Sequence, residues 1–212
     1  LKFLPLADAI AIAYVMPFIL LAMGAVFLGE EVGLIRTIAS MVGFGGSLLV
    51  IQPNFVNVGG PALLPLGVAF VFALFSIITR KISRDLPPIA MQAITGRMGL
   101  LILLPLAAIG LKWDIPQLSF PPLQTLNWPV LAVFCVSGAS AHLAMSWGLK
   151  HAPAATLAPI QYLEIPIATL IGFWIFSDIP NGLALFGIFV TVAAGLFVIG
   201  WEQAKAARRA NL

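Results

Sequence analysis

The 212-residue sequence has little charge. Asp, Glu, Lys and Arg make up 9% of it, against roughly 25% in an average soluble domain, while 61% is hydrophobic. So few charges cannot cover a soluble particle with polar surface. A soluble enzyme, a disordered chain and a nucleic-acid binder are therefore excluded. The net charge of +3 carries no phosphate-binding pattern, because the basic residues are scattered over short loops and one tail. Cysteine is nearly absent: Cys135 stands alone, which rules out an intramolecular disulfide and a cysteine metal site. It reads as a buried apolar thiol. Histidine is scarce too. His142 lies in an apolar run and His151 in a loop, so they form no zinc pair, and no glycine-rich phosphate loop with a lysine occurs. No metal and no cofactor is expected. No long polar linker separates the apolar runs, so no soluble domain is expected either.

What is present is a series of apolar stretches of roughly twenty residues, each long enough to cross a bilayer core of about 30 Å as a helix. About seven are visible, near 6–28, 32–52, 60–79, 89–111, 127–149, 153–176 and 181–201. Turn chemistry separates them: Gly59-Gly60-Pro61, Pro87-Pro88, Pro121-Pro122, Pro153 and Pro180-Asn181-Gly182. The first stretch is expected to be a span rather than a signal peptide. It carries Asp8 near its start and Glu30-Glu31 at its end, with no basic front and small-residue cleavage site. A soluble all-helical core would need polar faces at helical spacing, which these stretches lack. The predicted fold class is all-α, a polytopic membrane helix bundle.

Lys and Arg orient it. With alternating loops and the C-terminal tail inside, Arg36, Arg80, Lys81, Arg84, Lys150, Lys205, Arg208 and Arg209 fall on the inner side, and only Lys2 and Lys112 outside. The tail is thus expected in the cytoplasm and the 112–127 loop outside. Trp113 and Trp128, near the ends of that loop, read as interfacial anchors.

Two segments resemble each other at an offset of 148. Leu1, Lys2, Pro5, Ala7, Ile12, Tyr14, Ile19 and Gly24 recur as Leu149, Lys150, Pro153, Ala155, Ile160, Tyr162, Ile167 and Gly172, and Glu30 becomes Asp178. In the following run Ala39, Gly43 and Ser47 form a small-residue stripe whose counterparts are Gly187, Thr191 and Gly195. Small stripes let helix backbones approach closely in lipid. The offset covers five helices, an odd number, so the copies must cross the membrane in opposite senses. Inverted repeats are the plan of many secondary transporters, with a substrate site at the repeat interface near the midplane. Residues 1–52 read as the last two helices of a first copy, 53–201 as a complete five-helix second copy, and 202–212 as a basic cytoplasmic tail. Leu1–Pro5 reads as the end of an earlier helix. About three further N-terminal helices are therefore expected in a parent with an inverted 5+5, ten-helix plan.

The segments Leu1–Ala9, Phe27-Leu28-Gly29-Glu30-Glu31 and Gly43–Ile51, with Ala158-Pro159-Ile160-Gln161-Tyr162-Leu163-Glu164, Ile175-Phe176-Ser177-Asp178 and Ala193-Ala194-Gly195-Leu196, resemble the drug/metabolite transporter superfamily, specifically its EamA-type members. The resemblance covers essentially the whole chain. It implies ten helices, both termini cytoplasmic, and carriage of a small organic metabolite across a bacterial inner membrane. Export by alternating access is expected, with uptake as the alternative. Ser177-Asp178 departs from the commoner Gly-Glu at that helix end.

Ionisable groups at membrane depth are costly and are functional candidates. Glu164 lies eleven residues beyond Pro153, roughly 16 Å at 1.5 Å per residue and near the centre of the core. Gln161 precedes it by one turn, and Pro159 and Pro166 flank the pair, freeing backbone carbonyls. Glu164 reads as a substrate-cation or proton-coupling carboxylate, or as a structural carboxylate hydrogen-bonded between helices. Arg97, about 12 Å deep, could pair with Glu164, hold an anionic group or snorkel to the interface. His142 could relay protons or pack through a hydrogen bond. Gln92 and Thr95 share a helix face and could line a cavity. Tyr14 and Tyr162, repeat partners, either close a cavity or pack. Trp147 and Trp174 read as packing or interfacial residues. Pro17, Pro65 and Pro105 suggest hinged helices, or static kinks.

Other classes fit less well. An intramembrane enzyme would need more than Gly138-Ala139-Ser140-Ala141 beside His142, so no enzyme is expected. Against a seven-helix receptor or retinal pump stand the last span, which lacks a Schiff-base lysine, and the inverted repeat. A channel would need polar rings or filter loops. The expected partners are a small-molecule substrate and the lipid bilayer, with possible proton coupling, and no nucleic acid. The sequence leaves the oligomeric state open.

Overall fold

A computed structural model of the chain describes residues 6–54, 59–113, 115, 118, 126–177 and 179–210. The expectations that fall on Leu1–Pro5, on Pro121-Pro122 with most of the 112–127 loop, and on Asp178 lie outside the described residues. All regular structure among the described residues is helical. Seven stretches are long and apolar enough to cross a membrane: Leu6–Leu28, Leu34–Ile51, Gly60–Ile82, Pro88–Lys112, Trp128–His151, Ala154–Ile175 and Gly182–Lys205. They agree with the expected spans to within a few residues. The chain is a polytopic helical membrane protein. It divides into two compact units, one formed by the residues up to Lys81 together with those from Ala152 onward, the other by Ile82–His151.

In the first unit the opening span is two helices, α1 (Leu6–Ala13) and α2 (Met16–Leu28). Pro17 is the cause of the break. It occupies the first turn of α2, where a missing N–H costs nothing. Around Tyr14 and Val15 the backbone tightens: the Val15 N–H bonds to Ile12 and the Phe18 N–H to Val15 rather than to Tyr14. Helix α3 covers Leu34–Ile51, and α4 covers Leu63–Ile82 behind a single 3-10 turn at Gly60–Ala62. Pro65 lies in the first turn of α4, so it removes no helical bond and is not the hinge the sequence suggested.

The span from Ala154 is broken in the same way as the first. Helix α7 (Ala154–Ile160) is followed by a 3-10 turn at Gln161–Leu163 and then by α8 (Glu164–Phe176). Adding 148 to the limits of α2 gives the limits of α8. The left-handed residue that ends α2, Gly29 at φ 63°, returns as Ser177 at φ 57°. The last helix, α9 (Gly182–Ala210), is the counterpart of α3.

Helices α3 and α9 pack along their small-residue stripes. Ala39, Gly43, Ser47, Gly187, Thr191 and Gly195 are all buried. A side-chain carbon on Gly46 would come within 3.0 Å of the Gly187 carbonyl, and one on Gly187 within 2.6 Å of the Gly46 carbonyl. The Ser47 and Thr191 hydroxyls donate back to the carbonyls of Gly43 and Gly187, at 2.7 and 2.8 Å, so neither hydroxyl is stranded in the apolar seam.

Polar pairs at the two ends fix the direction of this packing. The Arg36 guanidinium, at the start of α3, meets the Glu202 carboxylate near the end of α9 at 2.8 Å. Gln52, at the end of α3, exchanges amide hydrogen bonds with Asn181, just before α9, at 2.9 and 3.1 Å. Helices α3 and α9 are therefore antiparallel.

The second unit holds α5 (Pro88–Lys112) and α6 (Trp128–His151). Helix α5 runs on through Pro105. Trp113 caps its end with the Lys112 ammonium 5.1 Å from the ring centre, and Trp128 begins α6. Both rings are exposed, as interfacial anchors would be. Two expectations are corrected on α6. Cys135 is exposed rather than buried, because every residue from Trp128 to His142 is exposed; in lipid, exposure does not oppose an apolar side chain. His151 is the last helical residue rather than part of a loop. Its Nδ1 lies 2.8 Å from the Trp147 carbonyl, and its ring centre 4.5 Å from that of Trp147.

Candidate substrate and coupling site

Four of the residues singled out in the sequence meet at the helix breaks of the first unit. Tyr14 lies between α1 and α2, Gln161 and Tyr162 form the turn between α7 and α8, and Glu164 begins α8. The Tyr162 ring is fully buried and stacks on the Tyr14 ring, with centres 6.0 Å apart and planes at 27°. Its hydroxyl donates to the Tyr14 carbonyl at 3.0 Å. That carbonyl is the one the Phe18 N–H left behind, so the tightened turn creates the acceptor that Tyr162 uses.

The Tyr14 hydroxyl lies near the Glu164 carboxylate. Glu164 is exposed. Gln161 is half-buried, and its Oε1 is enclosed with no hydrogen-bond partner. Buried carbonyl oxygens are normally paired, so this atom is an acceptor waiting for a donor.

Two residues that sequence reasoning missed complete an aromatic wall. Phe18 meets Phe44 edge-on with centres 5.6 Å apart, and Phe44 lies 6.3 Å from Tyr162. Gly43 lets Tyr162 in, since a side-chain carbon there would lie 2.7 Å from the tyrosine ring. Phe18 stands one helical turn beyond Tyr14, a spacing the sequence did show.

Asp8 and Glu30 were also passed over. Asp8 is buried, and its Oδ1 accepts the Asn54 N–H at 2.6 Å. Glu30 accepts the N–H groups of Ala154 and Ala155 and pairs with Arg80. The match of Glu30 with Asp178 was the available signal.

Four other candidates belong to the second unit. Gln92 and Arg97 lie on α5, the first half-buried and the second exposed. Thr95 shares their helix and donates to the Met91 carbonyl at 3.0 Å. His142 is exposed on α6.

The profile described as "EamA-like transporter family" matches residues 60–200. A riboflavin transporter of Vibrio cholerae is 27% identical over 98% of this chain and 67% of its own length. A riboflavin transporter of Rhizobium johnstonii is 30% identical over 95% and 64%. An S-adenosylmethionine uptake transporter of Rickettsia felis is 26% identical over 97% and 67%. The chain thus spans about two thirds of the length of the curated relatives it matches. A solved crystal structure has the same fold, with a TM-score of 0.63 over 92% of this chain and 68% of that one, at 18% identity. With the profile matching well over half of its residues, the chain belongs to the EamA-like transporter family.

Proposed function

We propose that the protein is a secondary carrier that moves a small organic metabolite across a bacterial inner membrane by alternating access. Residues 1–52 supply the last two helices of a first repeat, 53–201 a complete second repeat, and 202–212 a cytoplasmic tail. The antiparallel packing of α3 on α9 supports the inverted plan.

One observation carries the reading. A carboxylate, Glu164, stands at the break of an apolar span, near a tyrosine from the other repeat copy. An ion open to hydrocarbon would be expelled or neutralised, so this carboxylate belongs to a hydrated cavity. There it binds substrate donors or a coupling proton. Gln161 Oε1 offers a second acceptor, and the rings of Tyr14, Phe18 and Phe44 an apolar wall. Two acceptors beside aromatic faces suit a flat nitrogen heterocycle with N–H or amine donors. Riboflavin and S-adenosylmethionine, carried by the relatives, both contain such a ring. The uptake named for the Rickettsia felis relative favours inward movement over export.

The test is transport of radiolabelled riboflavin and S-adenosylmethionine by right-side-out and inverted vesicles carrying the complete protein. Accumulation of either compound above empty vesicles is expected, with loss in Glu164→Gln. Accumulation equal to that of empty vesicles for both compounds and for a wider metabolite panel would refute the carrier reading.

A further inference from the structure

Glu30 ties the two repeat copies together at the end of the first unit from which the tail emerges. Its side chain is only 8% exposed, and a buried carboxylate must be well partnered. Oε1 accepts the Ala154 N–H at 3.1 Å and Oε2 the Ala155 N–H at 2.9 Å. The Arg80 Nε donates to Oε1 at 3.3 Å. The Glu30 N–H is held in turn by the Gly24 carbonyl at 3.1 Å, which fixes where the carboxylate can reach. None of the three side-chain partners lies on α2. Two are on α7 and one is on α4, helices of the second copy on the repeat assignment above. The next residue along α7, Thr156, is buried, and its Oγ1 has no partner.

We propose that Glu30 is a clasp, a positioning residue that holds the tail-side end of the carrier closed, and that its release from Ala154, Ala155 and Arg80 opens that end. The start of α7 has a soft point on which to swing. The 3-10 turn at Gln161–Leu163 lies between Pro159 and Pro166, neither of which can donate a helical hydrogen bond. Helix α7 can therefore tilt while α8 stays in place, and the tilt moves Tyr162 against Tyr14. A tie made in one packing and absent from the other shifts their populations by its differential strength.

The inference rests on the carrier reading, but its test needs no substrate, so the two can fail separately. The complete protein carries Cys135→Ser and Thr156→Cys, and a membrane-impermeant thiol reagent is applied to the tail side. Glu30→Gln is expected to raise the labelling rate of the residue-156 thiol about tenfold, the response to a substantial population shift. Arg80→Gln, which leaves both N–H contacts, is expected to raise it less. The rate from the opposite side is expected to fall or stay unchanged. Unchanged tail-side labelling in both variants overturns the clasp. So does an equal rise from both sides, which marks general loosening. If Glu30→Gln does not insert, the Arg80→Gln rate decides alone.

Discussion

Tyr162 donates its hydroxyl hydrogen to the backbone carbonyl of Tyr14, its own counterpart 148 residues earlier in the chain, at 3.0 Å. On the proposed repeat assignment, equivalent residues meet at equivalent helix breaks, and such a contact would lie on or near the axis relating the copies, where a substrate would meet both halves at once. In Tyr162→Phe the Tyr14 carbonyl loses its donor, and an orphaned buried carbonyl costs about 1–3 kcal/mol. A lower unfolding midpoint in detergent is expected, with insertion retained. An unchanged midpoint would show that water replaces the hydroxyl.

Glu164→Gln keeps the size of the side chain and removes its charge. A neutral amide of the same shape fills the same space, so the fold is expected to persist. Substrate accumulation is expected to fall at least about tenfold, the effect of losing roughly 1.4 kcal/mol of interaction. The ratio of transport to inserted protein separates this from misfolding. Wild-type transport in the variant would reduce Glu164 to a structural role.

Ser177 and Gly29 end equivalent helices in the same left-handed conformation, at φ 57° and 63°. The conformation suits glycine and costs an ordinary L residue about 1 kcal/mol or more. Ser177→Gly is therefore expected to raise stability by about that amount, and Gly29→Ala to lower it by a similar amount. Thermal unfolding of the two variants side by side checks the pair of signs.

Much of this organisation is legible in the sequence because the bilayer imposes a length. The seven spans follow from apolar runs, and the breaks at Tyr14 and Gln161 from Pro17, Pro159 and Pro166. Tyr14 and Tyr162 are counterparts at the offset of 148, but their mutual stacking is seen only in the structure. The roles of Glu30 and Asp8 were not legible, because their partners lie 124 and 46 residues away and arrive only through helix packing. The exposure of Cys135 was misread for another reason. Apolar character signals burial only where water is the solvent, and for a membrane span it is not.

Helices α3 and α9 leave no room at their crossing. Gly187→Leu would place side-chain atoms where the Gly46 carbonyl and the Leu49 and Val50 side chains already stand. In lipid, close backbone approach supplies much of the attraction between helices. Strong destabilisation is expected, above the 1–3 kcal/mol of ordinary overpacking, because backbone cannot yield as a side chain can. Loss of an Arg36→Cys/Glu202→Cys crosslink in this variant would confirm that the seam has parted.

The antiparallel seam also fixes sidedness. Arg36 and Glu202 mark one end, and Gln52 and Asn181 the other. Single-cysteine variants Lys205→Cys and Asn181→Cys, in a Cys135→Ser background, are expected to react with an impermeant reagent from opposite sides of sealed vesicles. Lysines and arginines gather at the Lys205 end, so that end is expected to face the cytoplasm. Labelling of both positions from one side would mean that α9 does not cross the bilayer. The inverted duplication, and the carrier mechanism that needs two oppositely oriented copies, would then be lost together.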